Sequence, residues 1–161
     1  MAWLVASVST LSALFLGEVM GYTPCVLCWY QRILIYPLAL LIPIGILRRD
    51  PKAHTYILPF ALICIPMSAY HHLLQRTHWF DQHTVCRHGT PCSALYIDWF
   101  GFIDIPTLAL FAALIIALAT SAWARGGSAS VAATAGRPWR PVLACIGATL
   151  AFYAIIYRVV R

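Results

Sequence analysis

The chain has 161 residues and a formal net charge of +6; 61% of its residues are hydrophobic and only 10% are charged. Its mean hydropathy is +0.79. Soluble domains carry about 25% charged residues, which excludes a soluble enzyme, and the positive charge comes with no basic helix or binding motif that would point to nucleic acid.

A spanning helix needs roughly 20 mostly apolar residues. Segments 2–21, 29–47, 56–74 and 102–123 meet that length. The first has no Lys or Arg at its start and exceeds the apolar core of a cleaved signal, so it is expected to stay as a span. A fifth segment, 142–157, is shorter; Arg140 and Arg158 can extend it by snorkelling. It is expected to be a further span or a re-entrant segment. Between the fourth and fifth segments, "RGGSASVAATAG" (125–136) reads as a flexible linker. No stretch shows the short alternating pattern of a membrane barrel. The expected architecture is one all-α integral membrane domain over 1–161: a four-helix bundle with that fifth C-terminal segment.

Charge orients the spans. Arg48, Arg49 and Lys52 lie in one loop, and Arg125, Arg137 and Arg140 lie in another on the same side. The opposite side holds Arg76 and Arg87. The positive-inside rule places the first pair of loops, and the N-terminus, in the cytoplasm. Turn 21–28 and loop 75–101 are then exterior.

This sorts the cysteines. Cys25 and Cys28 face the oxidising side, as do Cys86 and Cys92 in "CRHGTPC", whereas Cys64 and Cys145 lie within spans. Two exterior disulfides are expected, Cys25–Cys28 and Cys86–Cys92, with the other two thiols reduced. A Cys-x-x-Cys ring closes too small a loop to be a useful staple, so a redox couple explains it better. Zinc is disfavoured, because two spans separate the pairs and the second spacing is wider than usual; no metal is expected.

Pro24 marks the start of the second helix, so its positive N-terminal end lies at the cysteines and favours thiolate. Arg32 is one turn deeper on the face of Cys28. A guanidinium costs on the order of 2.5–3.5 kcal/mol at mid-membrane and less near the edge. Either an anionic neighbour offsets that, or Arg32 snorkels to lipid phosphates. Glu18, two turns before Cys25, is either a hydrogen-bonded tie between spans or a proton relay. Trp79, Phe80, Tyr96, Trp99 and Phe100 are expected to hold the exterior loop at the interface.

The run "PCVLCWYQRILIYP", with "GEVMGYTP" before it and "AYHHLLQ" and "GTPCSALYIDWFGFIDIPTLALF" after it, resembles the DsbB/BdbC family of disulfide-bond formation proteins, the BdbC branch most. The resemblance covers about 15–115 and implies a four-helix, quinone-linked thiol oxidase in the bacterial cytoplasmic membrane. Its cofactor would be ubiquinone or menaquinone. It would reoxidise an extracytoplasmic thioredoxin-like partner of the DsbA/BdbD kind. By the same resemblance Cys25 and Cys28 are the quinone-facing pair and Cys28 attacks the ring. Arg32 polarises the quinone, and His71, rather than its neighbour His72, joins it in that pocket. Cys86 and Cys92 form the partner-facing pair, Cys86 meeting the partner first. Two rivals are a vitamin K epoxide reductase-like enzyme, whose landmarks run in a different order, and a small transporter or assembly subunit with stapled loops.

Overall fold

The computed structural model describes residues 1–77, Cys86, 90–98, 101–133 and the single positions 143, 147, 151, 154 and 158. Its regular elements are helices α1 (Ala2–Leu14), α2 (Val26–Leu47), α3 (His54–Arg76) and α4 (Ile105–Ala133), with a π-helical turn, Phe15–Val19, continuing α1. Four helical spans are long and apolar enough to cross a membrane: Ala2–Val19, Val26–Leu47, His54–Arg76 and Ile105–Gly126. The chain is a multi-pass membrane protein. The fifth segment, 142–157, and Cys145 within it lie outside the described residues, apart from isolated positions.

The ends of the spans differ from expectation in instructive ways. The first stops at Val19, because the π turn gives way to Gly21 at φ +70°, in the left-handed region that suits glycine. The fourth starts at Ile105 rather than near Phe102, because the Asp104 side chain accepts the Thr107 N–H at 2.8 Å and caps the helix. It then continues to Ala133, so the stretch expected as a flexible linker is helical through that residue. Its alanines favour helix strongly enough to carry it past Gly126 and Gly127.

Around the bundle, α1 packs on α2, α2 on α3, α3 on α4 and α4 on α1, while α2 and α4 face each other only weakly across the middle. The main core is Ala6, Leu38, Ile42, Ala53, Ile57, Ala61, Ile116 and Ala117. Alanines let the backbones approach, which lipid-embedded helices need because hydrophobicity alone does not drive them together. Gly45 marks the closest approach of α2 to the α3 end: a Cβ there would stand 2.8 Å from the Ala53 Cβ. Large apolar side chains such as Leu40, Ile63, Phe111 and Leu118 face outward, where lipid covers them.

Two polar contacts inside the bundle join its helices. Gln31 donates from Nε2 to Ser68 Oγ at 3.1 Å and ties α2 to α3. Pro43 lacks an N–H, so the Ala39 carbonyl four residues earlier loses its helical donor. Trp3 Nε1 supplies the replacement, donating to Ala39 O at 2.9 Å. In lipid an unmet carbonyl is costly. Trp3→Phe is therefore expected to lower unfolding stability in detergent by about 1–3 kcal/mol; an unchanged unfolding free energy would show that the Trp3–Ala39 bond contributes nothing.

Candidate functional site

Helix α2 begins at Cys25, which is the N-cap: its backbone is extended (φ −74°, ψ 173°) and its sulfur accepts the Cys28 N–H at 3.4 Å. The Cys-x-x-Cys spacing returns the second cysteine to the first through the opening turn of the helix. The two Sγ atoms are 3.2 Å apart, and both residues are thiols. A disulfide needs about 2.05 Å, so the expected Cys25–Cys28 disulfide is not formed in this state. The expected Cys86–Cys92 disulfide is present. Cys64 is a free thiol, buried in α3 and 3.6 Å from Ser68 Oγ.

The two pairs meet in one buried cluster. Cys25 and Cys92 pack with Leu27 and Leu74, and Cys28, Tyr70 and Cys86 close around them. His71 is fully buried between them. Its Nε2 is 3.6 Å from Cys25 Sγ and 3.3 Å from the Cys92 carbonyl oxygen. A carbonyl only accepts, so Nε2 carries the proton and points it at both. Cys25 Sγ, Cys92 Sγ and the His71 nitrogen lie within 4.8 Å of one another. They do not form a zinc ligand set here, since the Cys92 sulfur is committed to the disulfide and offers no thiolate.

These contacts hold the Cys25 thiol well below its ordinary pKa near 9. The hydrogen bond shared with Cys28 acts most strongly and overcomes the opposing effect of burial. The His71 hydrogen bond, the Cys28 N–H and the His71 charge act in the same direction.

The segment after Cys92 is fastened to both helices that carry this chemistry. Gln75 Nε2 donates to Ala94 O at 3.1 Å, and Arg76 pairs with Asp98 at 2.8 Å. Tyr96 donates from its hydroxyl to Thr23 O at 3.0 Å, and its ring stacks on Tyr22 at 4.8 Å. Tyr96 therefore grips α2's leader rather than serving only the membrane interface. Trp79, Phe80, Trp99 and Phe100 lie outside the described residues.

On the other side of Cys28 a cavity of about 390 Å³ opens between α1, α2 and α4. Its walls are mainly apolar, from residues such as Val8, Leu108 and Phe111, with Cys28, Arg32 and Tyr36 along the α2 side. Arg32 turns inward: it donates from Nη2 to Ala13 O at 3.0 Å and lies 5.4 Å from the centre of the Trp29 ring. Among the described residues no carboxylate pairs with it. Gly17 lies beside it: a Cβ there would be in ordinary contact with the guanidinium nitrogens, at 3.5 Å. Gly17 sits in the π turn, a device often found at functional sites.

Two placements correct the sequence reading. His71 is not on the cavity wall with Arg32; it lies on the opposite side of Cys25, against the loop pair. The face of α3 that carries it looks toward Cys92, which the helical phase of α3 alone does not reveal. Glu18 is exposed on the π turn, within the span Ala2–Val19, and is not part of the cavity wall. One feature was not anticipated. His72 points away from the cysteines, its Nδ1 donating to Asp104 at 2.9 Å and lying 2.8 Å from Thr107 Oγ1. Arg76 Nε is 3.4 Å from the same carboxylate. Burial raises the Asp104 pKa, but the Thr107 hydrogen bonds and the His72 charge outweigh it and leave the carboxyl below its usual range. Asp-x-Pro-Thr before an apolar run is a helix-start signal that could have marked Asp104.

The family profile "Disulfide bond formation protein DsbB" matches residues 1–124. The chain is 44% identical over 115 residues to "Disulfide bond formation protein C" of Bacillus subtilis, covering 71% of this chain and 83% of that protein. It is 43% identical over 119 residues to the "Probable disulfide formation protein" of Metapseudomonas resinovorans, covering 73% and 83%. It is 40% identical over 117 residues to the "Probable disulfide formation protein C 1" of Bacillus anthracis, covering 73% and 84%. No solved structure matches it.

The lowered pKa of Cys25 has a measurable sign. A lowered value keeps thiolate at neutral pH and releases it only on acidification. With Cys25 and Cys28 reduced, ultraviolet thiolate absorption should persist well below pH 9, and His71→Ala should move its loss to higher pH. Titration of the parent near an ordinary thiol value would contradict the arrangement.

Proposed function

The chain belongs to the DsbB family of disulfide bond formation proteins, and on that premise we propose that it is a membrane thiol:quinone oxidoreductase. It would take electrons from an extracytoplasmic thioredoxin-like dithiol protein and pass them to a membrane quinone, ubiquinone or menaquinone. The observation that carries this reading is the position of the Cys-x-x-Cys pair: Cys25 touches the loop pair on one side, and Cys28 opens into the apolar cavity on the other. The arginine excess in loops 48–55 and 124–141 supports a cytoplasmic N-terminus, with both cysteine pairs outside.

Two disulfide exchanges account for the inward route. A partner thiolate attacks Cys86, the Cys86–Cys92 bond breaks and Cys92 leaves as thiolate. The partner's second thiol then displaces Cys86 and the partner leaves oxidised. When the helix-end pair is oxidised, Cys92 attacks Cys25, and Cys28 leaves as thiolate. Cys86 then attacks Cys92, re-forming the loop disulfide and releasing Cys25. The balance is one dithiol oxidised and one disulfide reduced at each stage. The lowered pKa of Cys25 makes it a good leaving group in that last step, and the His71 Nε2–H steadies the charge it acquires.

The residues present fit a quinone head group. The cavity lies in the usual range for small-molecule sites, about 300–1,000 Å³, mainly apolar with a few polar groups, and Tyr36 Oη on its α2 side is buried without a hydrogen-bond partner among the described residues. Cys28 and Arg32 would hold the ring. When bound, the quinone supplies a two-electron, two-proton sink. Arg32 places a fixed cation in a poorly hydrated pocket, where it stabilises negative charge that develops on an oxygen. The planar fork of donors, which lysine lacks, favours arginine for this.

Arg32→Lys is expected to keep the fold and the loop disulfide and to raise the apparent KM for quinone. Arg32→Ala should weaken turnover by about 10²-fold or more, and Cys28→Ser should abolish quinone reduction. Assays with a reduced thioredoxin-like protein and soluble quinones measure all three. Parent-like kinetics in Arg32→Ala would refute docking at this cavity, and dithiol oxidation that ignores added quinone would leave a protein whose disulfides only staple its loops.

A further inference from the structure

Cys28, Arg32 and Tyr36 recur every four residues along α2 and line the same cavity. This spacing stacks them on one helical face, with Tyr36 about 12 Å below Cys28 along the axis. The first two already have roles in the reading above. Tyr36 does not, and its hydroxyl is anomalous: the oxygen is buried and has no hydrogen-bond partner among the described residues. Buried tyrosine hydroxyls are nearly always paired, and an orphan calls for an explanation. Leaving one unmet in an apolar setting costs about 1–3 kcal/mol. Phenylalanine would fill the same space without that penalty. The phenol and the Arg32 guanidinium are also within electrostatic reach of each other.

We propose that Tyr36 is a quinone-positioning residue, whose hydroxyl donates a hydrogen bond to a carbonyl oxygen of the quinone ring as a second fixed donor beside Arg32. This rests on the quinone reading. It deepens that reading by naming the group that sets how far the head group enters. The two donors divide the work: Arg32 contributes charge near Cys28, and Tyr36 contributes a neutral, directional contact deeper in the cavity. A neutral donor adds no like-charge repulsion to the arginine and binds the uncharged ring before any electron arrives. Its loss should therefore appear in binding as well as in turnover.

Tyr36→Phe removes one oxygen atom that has no partner to lose, so the variant should fold with an unfolding midpoint equal to or above the parent's. Menadione, which has two ring carbonyls, serves as the probe, with quenching of tryptophan fluorescence reporting its binding to the full chain. The expected result is a Kd about five- to tenfold weaker in Tyr36→Phe, with KM for menadione raised alongside it and the quinone-free exchange between a reduced dithiol protein and the Cys86–Cys92 disulfide unchanged. Parent-like Kd in Tyr36→Phe together with weakened binding in Arg32→Ala would overturn the assignment of Tyr36 and leave the docking site standing. Failure of the parent chain to bind menadione at all would overturn both.

Discussion

The contact on which the site depends is the Cys25 sulfur at the N-terminal end of α2. A helix that starts in or near a membrane has orphan N–H groups that lipid cannot satisfy. Here a thiol sulfur caps the helix instead of a serine or aspartate oxygen, accepting from Cys28 N. The same sulfur reaches His71 on α3, and it is buried against Cys92 of the segment between α3 and α4. One atom therefore terminates a helix, joins two spans and meets the second cysteine pair. Moving the start of α2 by one residue would turn the cysteines off this line and separate the two pairs.

The surrounding structure fixes that position from several directions. Gln31 binds Ser68 one turn below the cysteines, so α2 and α3 cannot slide past each other. Tyr96, Gln75 and Arg76 fasten the segment that carries Cys92. Asp104 caps α4 while bonding His72 and Arg76 of α3, which seats the fourth helix against the same end of the bundle. Polar groups are concentrated at this end, and the opposite stretch of the bundle is held by small apolar side chains. That division suits a chain whose chemistry takes place where water and lipid meet.

Much of this was legible in the sequence. Four spans followed from hydropathy, the start of α2 followed from Pro24 and the cysteines, and the common face of Cys28 and Arg32 followed from their spacing. Other features belong to packing between elements. Helical periodicity gives the angle between His71 and His72 but not which neighbour each meets, so His71 was assigned to the cavity when it faces the loop pair. The π turn that ends α1 at Glu18 has no signal in the apolar pattern of its segment. Nothing in the sequence marks Tyr36; its buried hydroxyl, without a partner among the described residues, becomes visible only in the packed bundle.

The account stands on one central claim: electrons entering at Cys86–Cys92 move to Cys25–Cys28. Disulfide mapping by mass spectrometry tests it directly. The fully oxidised, quinone-free protein is mixed with one equivalent of a reduced thioredoxin-like dithiol protein. The account predicts that the thiols appear at Cys25 and Cys28, with the Cys86–Cys92 bond re-formed and a Cys25–Cys92 disulfide trapped at early times. Thiols that stay at Cys86 and Cys92, beside an intact Cys25–Cys28 bond, would contradict it.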